Sequence, residues 1–387
     1  MPSPHRHFHR IAWLAVALAI GVIVFGAFVR LSHAGLSCPD WPTCYGRATC
    51  PVQPDLVAAA NEAFPQRAVE TGKAWREQVH RHAAATLGLL VAALALLAAR
   101  QRRRGVAAVV AACLLVAAAI PLYMRGSYLP SSLLVAIAEA MLLGLAWHWR
   151  RTPFVALALM TLAVIVFQAM LGMWTVTWLL KPVVVMAHLL GGLATLSLLL
   201  WMAWRSTPRY PLLAGNAPRL RRMLAVGLVL LVLQIALGGW VSANYAALAC
   251  GTEFPTCLGR WWPDTDFREG FVLWRGIGVD YEGGVLDGPA RAAIQLAHRL
   301  FALLVFAHLL VAALLLRRTP GHAGWGWALG IALGAQVGLG IGNVLFALPL
   351  WMATAHNAGA VLLLALLITL LVRLRAPTAP TAPAVPA

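Results

Sequence analysis

Ten apolar runs of about 20 residues constrain this chain more than any other feature. They lie near 11–31, 79–99, 106–124, 130–149, 153–178, 183–204, 223–244, 294–316, 325–347 and 351–373. Each is long enough to cross roughly 30 Å of hydrocarbon as a helix. The rest of the composition agrees: of 387 residues 61% are hydrophobic and 11% charged, with a mean hydropathy of +0.78. The first run is too long for a removed signal peptide and lacks a small-residue cleavage site. The predicted fold class is an all-α polytopic membrane protein with about ten transmembrane helices.

A net charge of +17 would suit a nucleic-acid partner if it were spread over one surface, but its distribution excludes that reading. Ten spans put both termini on one side. There lie Arg6, Arg10, the run "RQRRR" at 100–104, Arg150, Arg151, Arg205, Arg209, Arg219, Arg221, Arg222, Arg317, Arg318, Arg373 and Arg375, with no acid among them. All acids except Glu139 fall in or beside the opposite loops, chiefly 32–78 and 245–293. This is the positive-inside pattern. It predicts a multi-pass protein with both termini on the inner side and the acidic loops facing the periplasm or an equivalent compartment, the bacterial cytoplasmic (inner) membrane being the expected location. The Pro/Ala tail 376–387 reads as disordered.

The chain repeats itself. "CPDWPTCYG" at 38–46 returns as "CGTEFPTCLG" at 250–259. A His-Arg pair recurs in "EQVHRHAAATLGLL" and "IQLAHRLFALLV". A Gln-containing helix recurs in "FQAMLGMWTV" and "AQVGLGIGNV", and a His-bearing helix in "KPVVVMAHLLGGL" and "LPLWMATAHNAGAV". The spacing breaks once, because His80 to Gln168 spans far more residues than His298 to Gln336. The excess matches an inserted hairpin at about 106–149. The expected domains are therefore a four-helix bundle in 1–210 carrying that hairpin and a second four-helix bundle in 211–375.

Four His form two matched pairs, His80 with His188 and His298 with His356. Within each half both lie at similar depth near the outer leaflet. Imidazoles in hydrocarbon need partners and default to functional candidates. Two facing across a four-helix bundle can supply both axial ligands of a haem. His82, His148 and His308 have no repeat partner and read as packing residues. Arg81 and Arg299, at the outer boundary, suit outward-facing propionates. Arg30 suits the same role or that of an interface anchor, and its counterpart is Ser242. Three residues before each His-Arg pair stands Glu77 in one half and Gln295 in the other, on the face of the His. A carboxylate can relay protons where an amide only hydrogen-bonds, so the first half reads as the reactive one and the second as the holder of a cofactor. The bland alternative is an exposed loop acid beside Arg76.

The Cys loops face an oxidising compartment. The repeat pairs Cys38 with Cys44 and Cys250 with Cys257, as lids over the two bundles. Cys50 leaves three pairings open in the first loop. A redox-active dithiol is the sharper alternative, and zinc lacks a second ligand pair. Cys113 reads as a core residue.

Taken together, "VRLSHAGLSCPDWPTCYG", "EQVHR", "FQAMLGMWTV", "QIALGGWVSANYAALAC", "AHRLF" and "AHNAGAV" resemble the haem A synthases of bacteria and mitochondria, over about residues 12–372. The resemblance implies two fused four-helix bundles that oxidise a ring methyl of haem O to a formyl group, giving haem A for the terminal cytochrome oxidase. It implies two successive hydroxylations and loss of water. His80 and His188 would flank the iron of the substrate haem O, with Glu77 as the catalytic acid. His298 and His356 would ligate the iron of a resident haem b, and Arg81, Arg299 and Arg30 would contact the haems. A disulfide in the first outer loop of the family matches Cys38 and Cys44. Membrane lipid surrounds such a protein, and haem O synthase, an electron donor and further copies of the chain are its candidate partners. Family members typically have eight helices, so the hairpin is extra. The rival classes are a bis-histidine dihaem electron carrier, which explains four His but not Glu77 against Gln295, and a transporter, which would show broken helices at mid-membrane.

Overall fold

The computed structural model describes residues 4–207 and 211–375; Arg209 and the tail 376–387, read above as disordered, lie outside them. Twelve helices follow in order: α1 (Pro4–Leu31), α2 (Pro54–Ala63), α3 (Thr71–Ala99), α4 (Gly105–Met124), α5 (Tyr128–His148), α6 (Pro153–Thr177), α7 (Pro182–Ser206), α8 (Ala217–Ala243), α9 (Phe267–Gly270), α10 (Gly288–Arg318), α11 (Ala323–Leu345) and α12 (Leu350–Arg373). Ten of these are long and apolar enough to span a membrane. The short α2 and α9 belong to the two Cys-bearing loops. Two-residue strands β1 (Leu212–Leu213) and β2 (Leu374–Arg375) pair in parallel and tie the start of the second half to its end.

Helix contacts form two rings. α1 packs on α3 and α7, and α6 closes that ring against both. α8 packs on α10 and α12, and α11 closes the second ring. The rings meet where α7 and α1 lie against α12 and α8. Lipid tails are as apolar as leucine, so close backbone approach rather than water exclusion holds such helices together. Ala12, Ala15 and Ala19 accordingly line up on one face of α1 with no exposed surface, as do Ala95 and Ala99 on α3. Large apolar side chains point outward instead, among them Leu303, Ile331 and Trp351, each about two-thirds exposed.

One expected feature changed. The spans at 79–99 and 294–316 belong to helices that begin at Thr71 and Gly288. Hydropathy marks only the stretch that lipid tolerates, whereas backbone hydrogen bonding continues past it. The two His-Arg pairs therefore sit inside helices rather than at their starts. The repeat also extends to the backbone. Positive-φ residues come in equivalent pairs: His33 and Tyr245, Tyr45 and Leu258, Leu179 and Ala347, Leu180 and Leu348. Among the described non-glycine residues only Arg104, at the entrance to the α4–α5 hairpin, lacks a counterpart. Equivalent residues even meet across the molecule. Arg30 donates to the carbonyl of Ser242 at 3.0 Å, 212 positions away, and His33 stacks on Tyr245 at 6.3 Å.

Candidate haem site

Both Cys loops are closed by disulfides, Cys38–Cys44 and Cys250–Cys257. In each, the second Cys pairs with an arginine three residues on, Cys44 with Arg47 and Cys257 with Arg260. The two residues between them, Tyr45-Gly46 and Leu258-Gly259, both have positive φ, the conformation of a type I′ turn. That is why glycine recurs two places after the Cys. A carboxylate caps each turn: Asp40 accepts from the backbone N–H of Tyr45 and Gly46 at 2.6 and 2.9 Å, and Glu253 from that of Gly259 at 2.6 Å. Cys50 takes no part and stays a free, buried thiol, pushed up by desolvation, which leaves little reactive thiolate. Replacing Cys38 and Cys44 together by Ser is expected to destabilise the protein by about 2 kcal/mol, measured as thermal unfolding of purified protein in detergent.

Each loop is clamped by the arginine of its His-Arg pair. Arg81 donates to the carbonyls of Asp40 and Thr43 at 2.8 and 2.6 Å, and Arg299 to that of Thr256 at 3.0 Å. Glu77 is not an exposed loop acid. It is 4% exposed, accepts from the Cys38 N–H at 2.8 Å, and pairs with Arg81 at 2.7 Å. Its counterpart Gln295 is also buried, and its Oε1 has no hydrogen-bond partner among the described residues. Arg30 and Arg299 each retain a buried Nε–H without a partner among the described residues.

All four His line a cavity of about 1910 Å³ that runs through both rings, roughly twice an ordinary large ligand pocket. Every ring rests on a glycine of a neighbouring helix. A methyl group built on Gly26 would lie 2.7 Å from Cε1 of His80; on Gly172, 3.1 Å from that of His188; on Gly238, 3.1 Å from that of His298; on Gly340, 3.0 Å from that of His356. Four residues before three of these glycines stands a glutamine on the same helix face. The Gln168 amide approaches Nδ1 of His188 at 2.9 Å, and the Gln234 amide approaches that of His298 at 3.1 Å. Gln336 lies 3.4 Å from Nε2 of His356, whose Nδ1 reaches the Gln336 carbonyl at 3.1 Å. The fourth position is Val22, and Nδ1 of His80 is correspondingly buried without a partner among the described residues.

These residues fit a haem. Among the described residues no cluster of three or more His, Cys, Asp or Glu could hold a bare metal ion, whereas paired imidazoles are an axial ligand set. An amide turned over presents its oxygen to a ring N–H, and the Oε1 atoms of Gln168 and Gln234 are buried and free to do so at Nδ1 of His188 and His298, while at His356 the Gln336 backbone carbonyl faces Nδ1. A ring protonated on one nitrogen in this way keeps the other for iron. His308 donates from Nε2 to the Met223 carbonyl at 2.9 Å, and His148 is exposed. Sequence reading found the four His, Glu77 and the disulfide Cys. It missed Gln234, Val22 and the ring-seating glycines, although Gln-x-x-x-Gly occurs three times, in "QAMLG", "QIALG" and "QVGLG".

A family model described as cytochrome oxidase assembly protein, COX15-CtaA, matches residues 9–137 and 128–368. The chain is 37% identical over 365 residues to a protein of Shewanella oneidensis named heme A synthase, covering 93% of this chain and 96% of that one. It is 26% identical over 397 residues to a heme A synthase of Caulobacter vibrioides, covering 94% and 96%. A heme A synthase of Methylorubrum extorquens is 35% identical over 206 residues, about half of each chain.

Proposed function

The chain belongs to the COX15-CtaA family of cytochrome oxidase assembly proteins, and from that membership we propose how its two histidine pairs divide the work of a haem A synthase. The enzyme is an oxidoreductase that converts haem O to haem A. In our reading the first ring of helices takes the substrate, between His80 and His188, and the second holds a resident haem b between His298 and His356.

The observation that carries this division is the exchange of Glu77 for Gln295 at equivalent buried positions. Converting a methyl to a formyl group replaces two C–H bonds by C–O bonds in succession and then expels water from the gem-diol. That last step needs a group that takes a proton from one hydroxyl and passes a proton to the other, which leaves as water. Glu77 lines the cavity and offers carboxylate oxygens held by Arg81 and the Cys38 N–H. Gln295 offers an amide, which holds no mobile proton. The missing amide beside His80 supports the same division. A ring without a positioning partner is freer to turn, which suits a site whose occupant must arrive and depart. In the second half both rings, His298 and His356, have a glutamine partner, which suits permanent ligation.

A resident haem b supplies electron transfer when bound. The chain's own part is to seat His298 and His356 on Gly238 and Gly340, to orient them through Gln234 and Gln336, and to offer Arg299 Nε to a propionate. Arg30 Nε is placed to do the same. The hydroxyl-bearing intermediates stay among apolar helices beneath the disulfide loops. We place these loops in the periplasm on the distribution of arginine, and both termini in the cytoplasm.

Haem extraction with mass analysis tests the division. Wild type is expected to hold haem b together with haem O or haem A. His298→Leu is expected to lose the haem b, and His80→Leu to keep it while losing haem O and haem A. A wild type carrying two equivalents of haem b and nothing else would make the protein an electron carrier.

A further inference from the structure

The α4–α5 hairpin has no counterpart in the second half, and the activity described above does not account for it. It stands against α3 and α6, the helices that carry His80 and Gln168. The cavity at His80 and His188 continues outward between α3 and α6 until the hairpin closes it. Val116, Ala119 and Ile120 of α4 and Ser131 and Val135 of α5 all line it. Gly88 of α3 faces this gap, and a methyl group built there would meet nothing within 4 Å. At the Cys-loop end Trp41 packs edge-on against Tyr123 of α4 at 5.8 Å, so the disulfide loop caps the gap. In the second half α10 and α11 pack on one another, and among the described residues no such pair of helices lies outside them.

We propose that this hairpin walls a binding channel for the isoprenoid tail of haem O. The proposal rests on the assignment of the first ring to the substrate. Haem O carries a farnesyl chain on its macrocycle, and haem b carries a vinyl group in the same place. The additional wall thus stands in the half assigned to the tailed haem and is missing from the half assigned to the tail-less one. The lining chemistry agrees: Val116, Ala119, Ile120 and Val135 are small or branched apolar side chains, and the Ser131 hydroxyl is bonded to the Ala119 carbonyl at 2.8 Å. Without a hairpin this flank of α3 and α6 would face lipid, which accepts any chain. Hydrocarbon offers a tail as apolar a surrounding as the channel does, so the gain lies in shape rather than in escape from water. A wall of protein selects a branched isoprenoid and sets the angle at which the macrocycle reaches His80 and His188.

Competition between haem O and haem B for the first site tests this, using full-length protein in lipid nanodiscs with the resident haem already in place. The haem retained is identified by mass. Wild type is expected to prefer haem O. Val116→Phe and Val135→Phe, one on each helix of the hairpin, are expected to lower that preference at least tenfold while haem B binding and the resident haem stay unchanged. Leu114→Phe, on the 63% exposed outer face of α4, should leave the preference intact. The retained resident haem identifies variants that fold. Unchanged preference in both channel variants, or equal weakening of both haems, would overturn the channel and leave lipid as the occupant of the gap. A wild type that takes both haems equally would remove the substrate assignment itself, and the channel with it.

Discussion

Glu77→Gln is expected to lower turnover of haem O by roughly 10²- to 10⁴-fold, the span of general acid–base assistance, while the fold survives. The native partners use separate oxygens, the Cys38 N–H on Oε2 and Arg81 on Oε1, so the glutamine oxygen keeps one of them, and Arg81 still holds the Cys loop through the carbonyls of Asp40 and Thr43. Glu77→Ala removes both carboxylate contacts. Arg81 would then keep its bonds to the carbonyls of Asp40 and Thr43 but lose its counter-charge in a largely buried place. Breaking such a pair from one side costs about 3 kcal/mol. The two variants separate chemistry from architecture. The Gln variant should unfold within about 1 kcal/mol of wild type and accumulate haem O or a partly oxidised form. The Ala variant should be both inactive and unstable. A Glu77→Gln protein that turns over haem O normally would limit Glu77 to tethering the disulfide loop.

Substituting the ring-seating glycines is expected to empty one half at a time. A methyl on Gly26 would sit 2.7 Å from His80 Cε1, nearer than non-bonded carbons approach, so Gly26→Val must push that ring aside. Gly238→Val does the same to His298, where the first added carbon already comes to 3.1 Å. Disturbing the orientation of a ligand ring costs roughly 10- to 100-fold in affinity. Gly26→Val should therefore retain haem b and lose haem O, and Gly238→Val should lose haem b, both read by extraction and mass. Gly21→Ala on the same helix as Gly26 is the control. Nothing lies within 4 Å of a methyl group there, and alanine is the better helix former by up to about 1 kcal/mol. Loss of both haems from either valine variant would mean that the helices had separated.

The asymmetry at Val22 shows where sequence reading stopped. "GVIVFG" and "LQIALG" occupy equivalent places in the repeat, yet nothing in either string says that the residue four before the glycine touches an imidazole on another helix. The helices are apolar on nearly every side, so the pattern that reveals rotation in a water-soluble helix is absent. Glu77 was misjudged in one alternative for a related reason. Beside Arg76 and at the edge of an apolar run it looks like a loop acid, and only the docking of the Cys loop onto α3 buries it.

The amino-acid sequence by itself determined the ten spans, the two-fold repeat, the two matched pairs of His, the two Cys loops and the extra hairpin. Each of these depends on hydropathy or spacing along one segment, or on the likeness of two segments. The tertiary structure alone decided which glutamine meets which ring, that glycines seat all four rings, that Arg30 reaches its own counterpart Ser242, and that the hairpin closes a gap beside His80. These depend on how each helix is turned about its axis. In a helix surrounded by lipid and other apolar helices, that angle is set by packing against neighbours rather than by the separation of oil from water.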